Sequence, residues 1–503
     1  MDDPNGSRHP VDWAPSASRT RVLWMGMNNN QTPASAPRTA TFEADLRPDG
    51  HSRFSYPQKI DDGSGKVPLQ AIVVSTQDAK AARGVLSQVL DGRSSILPIS
   101  AEEAADEQLM AKLKSTMKIG EPIGAGTLIA RTSGSTGAPK GAILSAANLR
   151  ASNRATEEFL REHLGADAGP WLLALPAHHI AGLQVILRSI TAGFTPFVTR
   201  SVKEGTAFSV ADFAESAQAL RDRFPRQDLH TSLVPAQIHT LLADDAGIEA
   251  LKLFSAVLIG GAAMSVAMRE ELDRSGIRYV HTYGSSETAG GMVYDGKVVP
   301  RGDVRIDNAD ESGIGRVMLS GPMVARGYVA GESADFPRAG EFRTSDLGQL
   351  EGGQLTILGR ADGAINTGGM KVLPEQVEAA VQQHVTIDGV SVTDVCAVGI
   401  TDAKWGEAVV ALVGVGAGGG ASGTAGRGGA SGTAGRGDAS ADNADRDGAV
   451  EVTDAARKQL KAVGIPPHLI PTRVWAVHDL PKAGPGKVDR RKVKKAIGEL
   501  VES

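Results

Sequence analysis

Residues 131–141 read Arg-Thr-Ser-Gly-Ser-Thr-Gly-Ala-Pro-Lys-Gly, and they constrain the fold more than any other stretch of the chain. A short apolar run, Thr127 to Ala130, precedes them, and a second, Ala142 to Leu144, follows. The first reads as a strand. The turn between them is made of small residues and one lysine. Gly134 and Gly137 permit tight curvature and let backbone N–H groups approach an anion closely. Thr132, Ser133, Ser135 and Thr136 add hydroxyl donors, and Lys140 adds a positive charge. That is the composition of a polyphosphate clamp. A Walker A loop is excluded, because Pro139 stands where that pattern has glycine before lysine, and neither Ser nor Thr follows Lys140.

At 503 residues the chain exceeds one ordinary hydrophobic core, which implies two or three domains. Its 53 basic and 58 acidic residues are mixed along most of the sequence, so nothing points to a nucleic-acid partner. Cys396 is the single cysteine, which rules out an intrachain disulfide and a cysteine-based zinc cluster and fits a reducing cytoplasm. No run of eighteen apolar residues predicts a transmembrane helix. The acidic, polar opening residues do not read as a secretory signal.

From about Val67 strands and helices alternate. Residues 69–75 read as a strand and 78–90 as a helix; 146–164 read as a helix capped by Ser145; 171–175 read as a buried strand. Further strands are expected at 231–235, 254–261 and from Ile277 to Gly284, with a helix from Met264 to Gly276. Short apolar strands spaced by helices predict parallel-rich sheets covered on both faces. The character changes near Gly359. Beyond it, a helix at 374–384, strands at Val395–Ile400 and Ala408–Val415, a helix at 451–463 and a strand at Val474–Leu480 make a separate α+β set. The fold class is therefore α/β: a large domain over 1–359, with 1–60 partly irregular, and a smaller, mobile α+β domain over 360–503. The unit GASGTAGRG at 420–428 recurs unchanged at 429–437, inside a Gly/Ala-rich stretch, 415–449, that cannot form a core and reads as a disordered insertion.

Several other positions carry chemistry. In Tyr-Gly-Ser-Ser-Glu-Thr-Ala-Gly (283–290), Tyr283 offers a flat surface to a base, and Glu287 with Thr288 can meet Mg²⁺ or a phosphate oxygen. The Asp346 carboxylate can accept both hydroxyls of a ribose, or simply complete a turn. Lys487, between Gly486 and Val488, is a compact cation on an extended stretch, able to enter a site from another domain or to be one more surface lysine.

Taken together, Arg131–Gly141, 283–290, Phe342–Leu350, Gly359–Glu378 and Pro481–Val493 resemble, in order, the signature segments of the adenylate-forming superfamily of acyl-CoA synthetases and related ligases. The resemblance spans about 126–495 and implies an ATP-dependent, AMP-forming acid–thiol ligase using ATP, Mg²⁺ and coenzyme A, soluble in the cytoplasm, a homodimer or a monomer. It implies that Thr132–Gly137 and Lys140 hold phosphates, that Thr136 and Glu287 attend the metal, and that Tyr283 stacks on adenine beside Gly284 and Ser286. Asp346 would hold the ribose, Arg360 would contact ribose or phosphate, and Asp362 would be the hinge. Lys487 would bridge the acyl carboxylate and the α-phosphate, and Gly369 and Lys371 would approach the thioester site after the small domain turns. Cys396 has no nucleophilic part in this scheme.

The acid itself should contact residues 175–193 and 255–265: His178 as a catalytic gate, with His179, Gly260, Gly261, Ala262 and Gly291 around it. The wording of these segments and of 288–306 resembles the 2-succinylbenzoate–CoA ligases of menaquinone synthesis, actinobacterial type, whose substrate is an aromatic keto-diacid. A ligase for another aromatic or medium-chain acid is the alternative. Arg188 or Arg200 could receive the second carboxylate, although an exposed salt bridge is the ordinary fate of either.

Overall fold

The computed structural model describes residues 65–74, 77–132, 140–415, 448–482 and 488–502. The N-terminal body is organised by three sheets. The first contains β1 (Lys66–Val73), β2 (Ser95–Ile99), β3 (Pro122–Gly124), β4 (Thr127–Thr132) and β5 (Lys140–Ser145), in spatial order β3-β1-β2-β4-β5. Strands β1, β2 and β4 are parallel, and β5 returns antiparallel to β4 with Thr132 opposite Lys140. The second sheet holds β6 (Trp171–Leu173), β7 (Phe197–Val198), β8 (His230–Leu233), β9 (Ala256–Gly260), β10 (Tyr279–Ser285), β11 (Gly290–Tyr294) and β12 (Lys297–Val298), ordered β12-β11-β10-β9-β8-β6-β7. Its strands from β7 to β10 are parallel, and β11 and β12 close one edge antiparallel.

Helices join and cover these sheets, as the alternating pattern predicts. The helix Ala146–Leu164 begins with a reciprocal cap: Ser145 Oγ accepts from the Asn148 N–H at 3.3 Å, and Asn148 Oδ1 accepts from the Ser145 N–H at 2.9 Å. It ends at Gly165, whose φ of +58° is the left-handed stop that glycine tolerates. One continuous core runs between the two sheets, with Leu128, Leu144, Phe159, Leu173, Ile186 and Tyr294 all buried.

The third sheet is an addition to the expected plan. It is wholly antiparallel, β13 (Asp303–Asp307), β14 (Gly315–Ser320), β15 (Glu341–Glu351) and β16 (Gln354–Arg360) side by side in chain order. Only β16 of these four, Gln354–Arg360, reads as a strand in the sequence: β13 and β15 mix charged and apolar residues and lie half exposed, and β14 is a short, largely buried run.

The smaller C-terminal body carries β17 (Ile365–Thr367), β18 (Met370–Val372), a short hairpin of β19 (Thr386–Ile387) and β20 (Val390–Ser391), then β21 (Asp394–Asp402), β22 (Gly406–Gly414), β23 (Val450–Glu451) and β24 (Arg473–Val477). Successive side chains of β21 and β22 point to opposite faces. Cys396, Val398, Val410 and Leu412 lie under Val493 and Ile497 of the helix Arg490–Glu502. Ala397, Val409, Ala411 and Val413 lie under Val377 and Val381 of the helix Pro374–His384. Both faces are buried, so the runs are apolar throughout rather than alternating. Burial pushes the Cys396 thiol up to about 12, in keeping with a packing role. Strand β24 lies between β22 and β23, with Gly414 opposite Val477 and Val450 opposite Ala476. The repeat at 420–437 and residues 1–64 lie outside the described residues. No helix among those described is long and apolar enough to cross a membrane.

Candidate functional site

The β4–β5 hairpin carries Thr132 and Lys140 as its last facing pair, so both ends of the clamp are fixed in register. Ser133, Gly134, Ser135, Thr136 and Gly137 lie outside the described residues, as does Lys487. Beside the hairpin, β10 turns into β11 through Ser286–Thr288, and Ser286 Oγ donates to the Arg131 carbonyl at 3.0 Å. Glu287 is thereby brought to the mouth of the clamp, 7% exposed, with its carbonyl accepting from the Ala325 N–H at 2.7 Å. Thr288 takes no position facing a ligand. Its hydroxyl donates to Gly290 O at 2.7 Å and accepts from the Ser285 N–H at 2.9 Å, so it is spent on the turn; the expectation that it meets a metal or phosphate is corrected.

Gly284 and Gly260 show why glycine is needed at this edge. A Cβ at Gly284 would lie 2.1 Å from Gly290 O, and one at Gly260 would lie 2.2 Å from Thr282 Oγ1. Gly261, with φ of +84°, and Ala262 are exposed where β9 ends, and Gly291 faces the Tyr294 ring. These residues share one edge of the second sheet with Tyr283, the end at which α/β folds place ligands.

Tyr283, Asp346 and Arg360 form one group. The Tyr283 hydroxyl donates to Asp346 Oδ2, and the Arg360 guanidinium lies 3.7 Å from Asp346 Oδ1 across the β15–β16 pair. Burial, then the Asp346 charge, raise the Tyr283 phenol well above its ordinary range, so it stays a donor. Arg360 also grips Asp362 with two bonds, Nε to Oδ1 at 2.9 Å and Nη2 to Oδ2 at 2.7 Å. One Asp346 oxygen is therefore committed to tyrosine, and the bare sequence gave no sign of it.

His178 follows β6, half-buried and packed on His179 with ring centroids 4.2 Å apart. Burial lowers its pKa and the Glu103 charge opposes that shift. Glu103 in turn binds Arg131 through two 2.6 Å hydrogen bonds at the entry to the clamp. This ion pair was not singled out in the sequence, because its members stand 28 positions apart on unrelated elements.

The two arginines proposed for a second carboxylate have different fates. Arg200 is exposed and donates to Glu215 Oε2 at 3.0 Å. Arg188 corrects the expectation of an exposed pair: it is 3% exposed on the helix Ile180–Thr191, 5.1 Å from the centre of the Trp171 ring, and its Nε has no hydrogen-bond partner. Gly369 and Lys371 lie on the exposed β17–β18 hairpin, whose turn, Gly368-Gly369, has φ of +59° and +82°. The partners of that hairpin are Trp405, in the turn before β22, and Glu407 of β22, and among the described residues no hydrogen bond joins it to Thr132 or Lys140.

Two further residues were missed by sequence reasoning. Tyr328 donates to Glu287 Oε1 at 2.8 Å, and Asp335 Oδ2 accepts from Lys140 Nζ at 3.1 Å. Among the described residues no group of three or more His, Cys, Asp or Glu side chains could cage a metal. Glu287 Oε2, by contrast, has no hydrogen-bond partner among them. One carboxylate facing a phosphate clamp suits Mg²⁺, which is commonly held by a carboxylate together with substrate phosphates.

Three sheets, two of them covered by helices, with Lys140, Tyr283 and Asp346 on strands and Glu287 in the turn beside them, define an α/β protein. The match agrees: residues 69–329 fit the model of the AMP-binding enzyme family, and the chain belongs to that family. Within it, the chain is 37% identical over 409 residues to a probable 2-succinylbenzoate–CoA ligase of Mycobacterium tuberculosis H37Rv, covering 80% of this chain and 92% of that one. It is 29% identical to the 2-succinylbenzoate–CoA ligase of Escherichia coli K12, over 56% of this chain and 57% of that one. Among solved structures it shares the fold of the Bacillus subtilis o-succinylbenzoate CoA synthetase in complex with its acyl-adenylate intermediate, at TM-score 0.57 and 21% identity, covering 85% of this chain and 83% of the other. ATP-bound MatB from Rhodopseudomonas palustris is comparable, with TM-score 0.58, 19% identity and coverage of 86% and 80%.

Proposed function

We propose that this chain is a 2-succinylbenzoate–CoA ligase, acting in the cytoplasm in menaquinone synthesis. The observation that carries the reading is the 37% identity to the mycobacterial ligase across 92% of that relative's length. The geometry is consistent with it. In the first half-reaction the acid's carboxylate attacks the α-phosphorus of ATP, pyrophosphate leaves and an acyl-adenylate forms. Lys140 draws charge from the departing phosphates, Asp346 and Arg360 hold the ribose, and Tyr283 stacks on the base. Lys487 neutralises the approach of one anion to another. Mg²⁺, held by Glu287 and the phosphates with Thr136 contributing, would supply further charge screening. In the second half-reaction the thiol of coenzyme A takes the acyl group and AMP leaves.

The neutral His178 imidazole, its pKa lowered by burial, can border the acid without adding a competing charge. His179, with Gly261 and Ala262 exposed at the end of β9, would border an aromatic ring, whereas the space beside Gly260 and Gly291 is taken by Thr282 and Tyr294. Arg188, buried against Tyr294 and Trp171 with its Nε unpartnered, is the candidate to receive the second carboxylate of a diacid. The division into residues 1–359 and 360–503, turning at Asp362, belongs to the same reading. Its support is the grip of Arg360, the first residue of the smaller part, on Asp362 two residues further on. Such a turn would carry Gly369 and Lys371 towards the thioester site.

The test is a panel of acids with ATP and Mg²⁺, scored by pyrophosphate release and then by consumption of coenzyme A. Succinylbenzoate should support both steps. Turnover with benzoate or octanoate, and none with succinylbenzoate, would replace this reading with a ligase for another aromatic or medium-chain acid.

A further inference from the structure

Lys140 and Glu287 are opposite charges that must face the same polyphosphate, and a single side chain touches both. Residues 326–329 lie alongside β5 as an added strand. The Arg326 N–H donates to Ile143 O, the Ile143 N–H to Gly327 O and the Val329 N–H to Gly141 O, each at 2.9 Å. This ladder fixes the Tyr328 ring against Lys140, whose Nζ lies 4.8 Å from the ring centroid, a cation–π distance. The hydroxyl of the same ring donates to Glu287 Oε1 at 2.8 Å. Behind it, Phe336 packs edge-on with centroids 5.0 Å apart, and Phe336 rests on Phe342 at 5.2 Å. The ring therefore has little freedom to turn away. Burial, then the charges of Glu287 and Asp335, raise the phenol well above its ordinary range, so it remains a donor at every working pH.

We propose that Tyr328 is a positioning residue for the adenylation half-reaction: its ring face supports the phosphate-loop lysine, and its hydroxyl aims the metal-facing carboxylate. Placed between them, it keeps the Lys140 ammonium, which pairs with Asp335, apart from the Glu287 carboxylate. It also leaves Glu287 Oε2 available to Mg²⁺ while Oε1 is occupied. This inference rests on the reading of Lys140 and Glu287 as the residues that meet Mg²⁺ and ATP.

The two contacts can be removed separately. Tyr328→Phe keeps the ring and loses the donor, whereas Tyr328→Leu loses both. Equilibrium ATP binding is measured by calorimetry with and without Mg²⁺, alongside the Mg²⁺ concentration for half-maximal pyrophosphate release. Tyr328→Phe should raise that concentration about tenfold, as expected for one lost hydrogen bond to a charged group, and should blunt the gain in ATP affinity that Mg²⁺ gives. Metal-free ATP binding and the KM for the acid should stay as in the wild type. Tyr328→Leu, with its fold checked by circular dichroism, should weaken metal-free ATP binding as well. The inference is overturned if Tyr328→Phe leaves the Mg²⁺ requirement unchanged, or if it raises the KM for the acid as much as it raises that requirement. A wild-type protein that binds ATP with no help from Mg²⁺ would instead remove the underlying reading, and this inference with it.

Discussion

Asp346 shows how much a single residue's partners decide. Its Oδ2 accepts from Tyr283 and its Oδ1 faces Arg360, so the carboxylate is aimed before any nucleotide arrives. Exchanging Asp346 for Asn removes the charge and keeps the size. The expected result is a KM for ATP about tenfold higher, with the KM for the acid unchanged, because charge-assisted bonds are roughly twice as strong as neutral ones. Initial rates at varied ATP and varied acid check it. Acidity offers a second test. His230 is 1% exposed; its Nε2 lies 2.9 Å from the Asp167 carbonyl, and Nδ1 has no partner. Burial lowers its pKa from 6.5 to about 4. Above pH 6.5 the ring is neutral whether the chain is folded or not, and its contribution to stability is complete. As the pH falls from 6.5 towards 4, the unfolded chain takes up a proton that the folded chain refuses, and about 3 kcal/mol is lost. Urea midpoints should fall across that window, and a Gln at this position should flatten that part of the slope. Lys140 and Glu287 were legible in the sequence because each sits in a local motif. Tyr328, Asp335 and Glu103 were not, because each meets its partner only through strand addition or helix packing across many positions of chain.

At the scale of elements, patterning carried far. The helices 146–164 and 374–384 fall where their caps and periodicity put them, Ala146–Leu164 and Pro374–His384. The strand runs at 171–175 and 254–261 shrink at their ends to Trp171–Leu173 and Ala256–Gly260, since terminal residues pass into turns. Most of the third sheet escaped because β13 and β15 are half exposed and rich in charge, which resembles loop composition, and the buried run of β14 is short. The turn from β10 to β11 gives the sharpest test at this scale. Gly284→Ala forces a methyl against Gly290 O, 2.1 Å away, and the turn that presents Glu287 must shift. The expected outcome is a loss of about 2 kcal/mol or more in thermal or urea unfolding, with ATP binding weakened to match. An unaltered melt would show that the turn can move without cost.

On the scale of the whole molecule, the two bodies meet through a chain of charges. The Arg360 N–H reaches Glu375 Oε2 at 3.4 Å; Glu375 Oε1 lies 3.5 Å from Arg490; Arg490 Nη1 donates to Glu378 Oε1 at 2.6 Å and to the Ala397 carbonyl. Arg490 begins the last helix, just after Val488, which bridges to Lys482 and closes the base of the segment that bears Lys487. A fork-shaped guanidinium makes these contacts together, and an ammonium cannot. Arg490→Lys should therefore slow pyrophosphate release about tenfold, since lysine loses the forked contacts to Glu375, Glu378 and the Ala397 carbonyl. Thioester formation from supplied acyl-adenylate should change less. Rapid-quench measurement of each half-reaction separates the two.

The flanking of β24 by β22 and β23 has a practical corollary. Neighbouring strands are about 4.8 Å apart, so Gly414 and Val450, on either side of one strand and facing adjacent residues of it, are separated by about 10 Å. A linker of four or five residues would cover that gap, since an extended chain advances about 3.3 Å per residue. Everything else between those two anchor points is surplus to stitching the sheet together. A reporter domain or a dye joined between those anchor points would leave β22, β23 and β24 uncut.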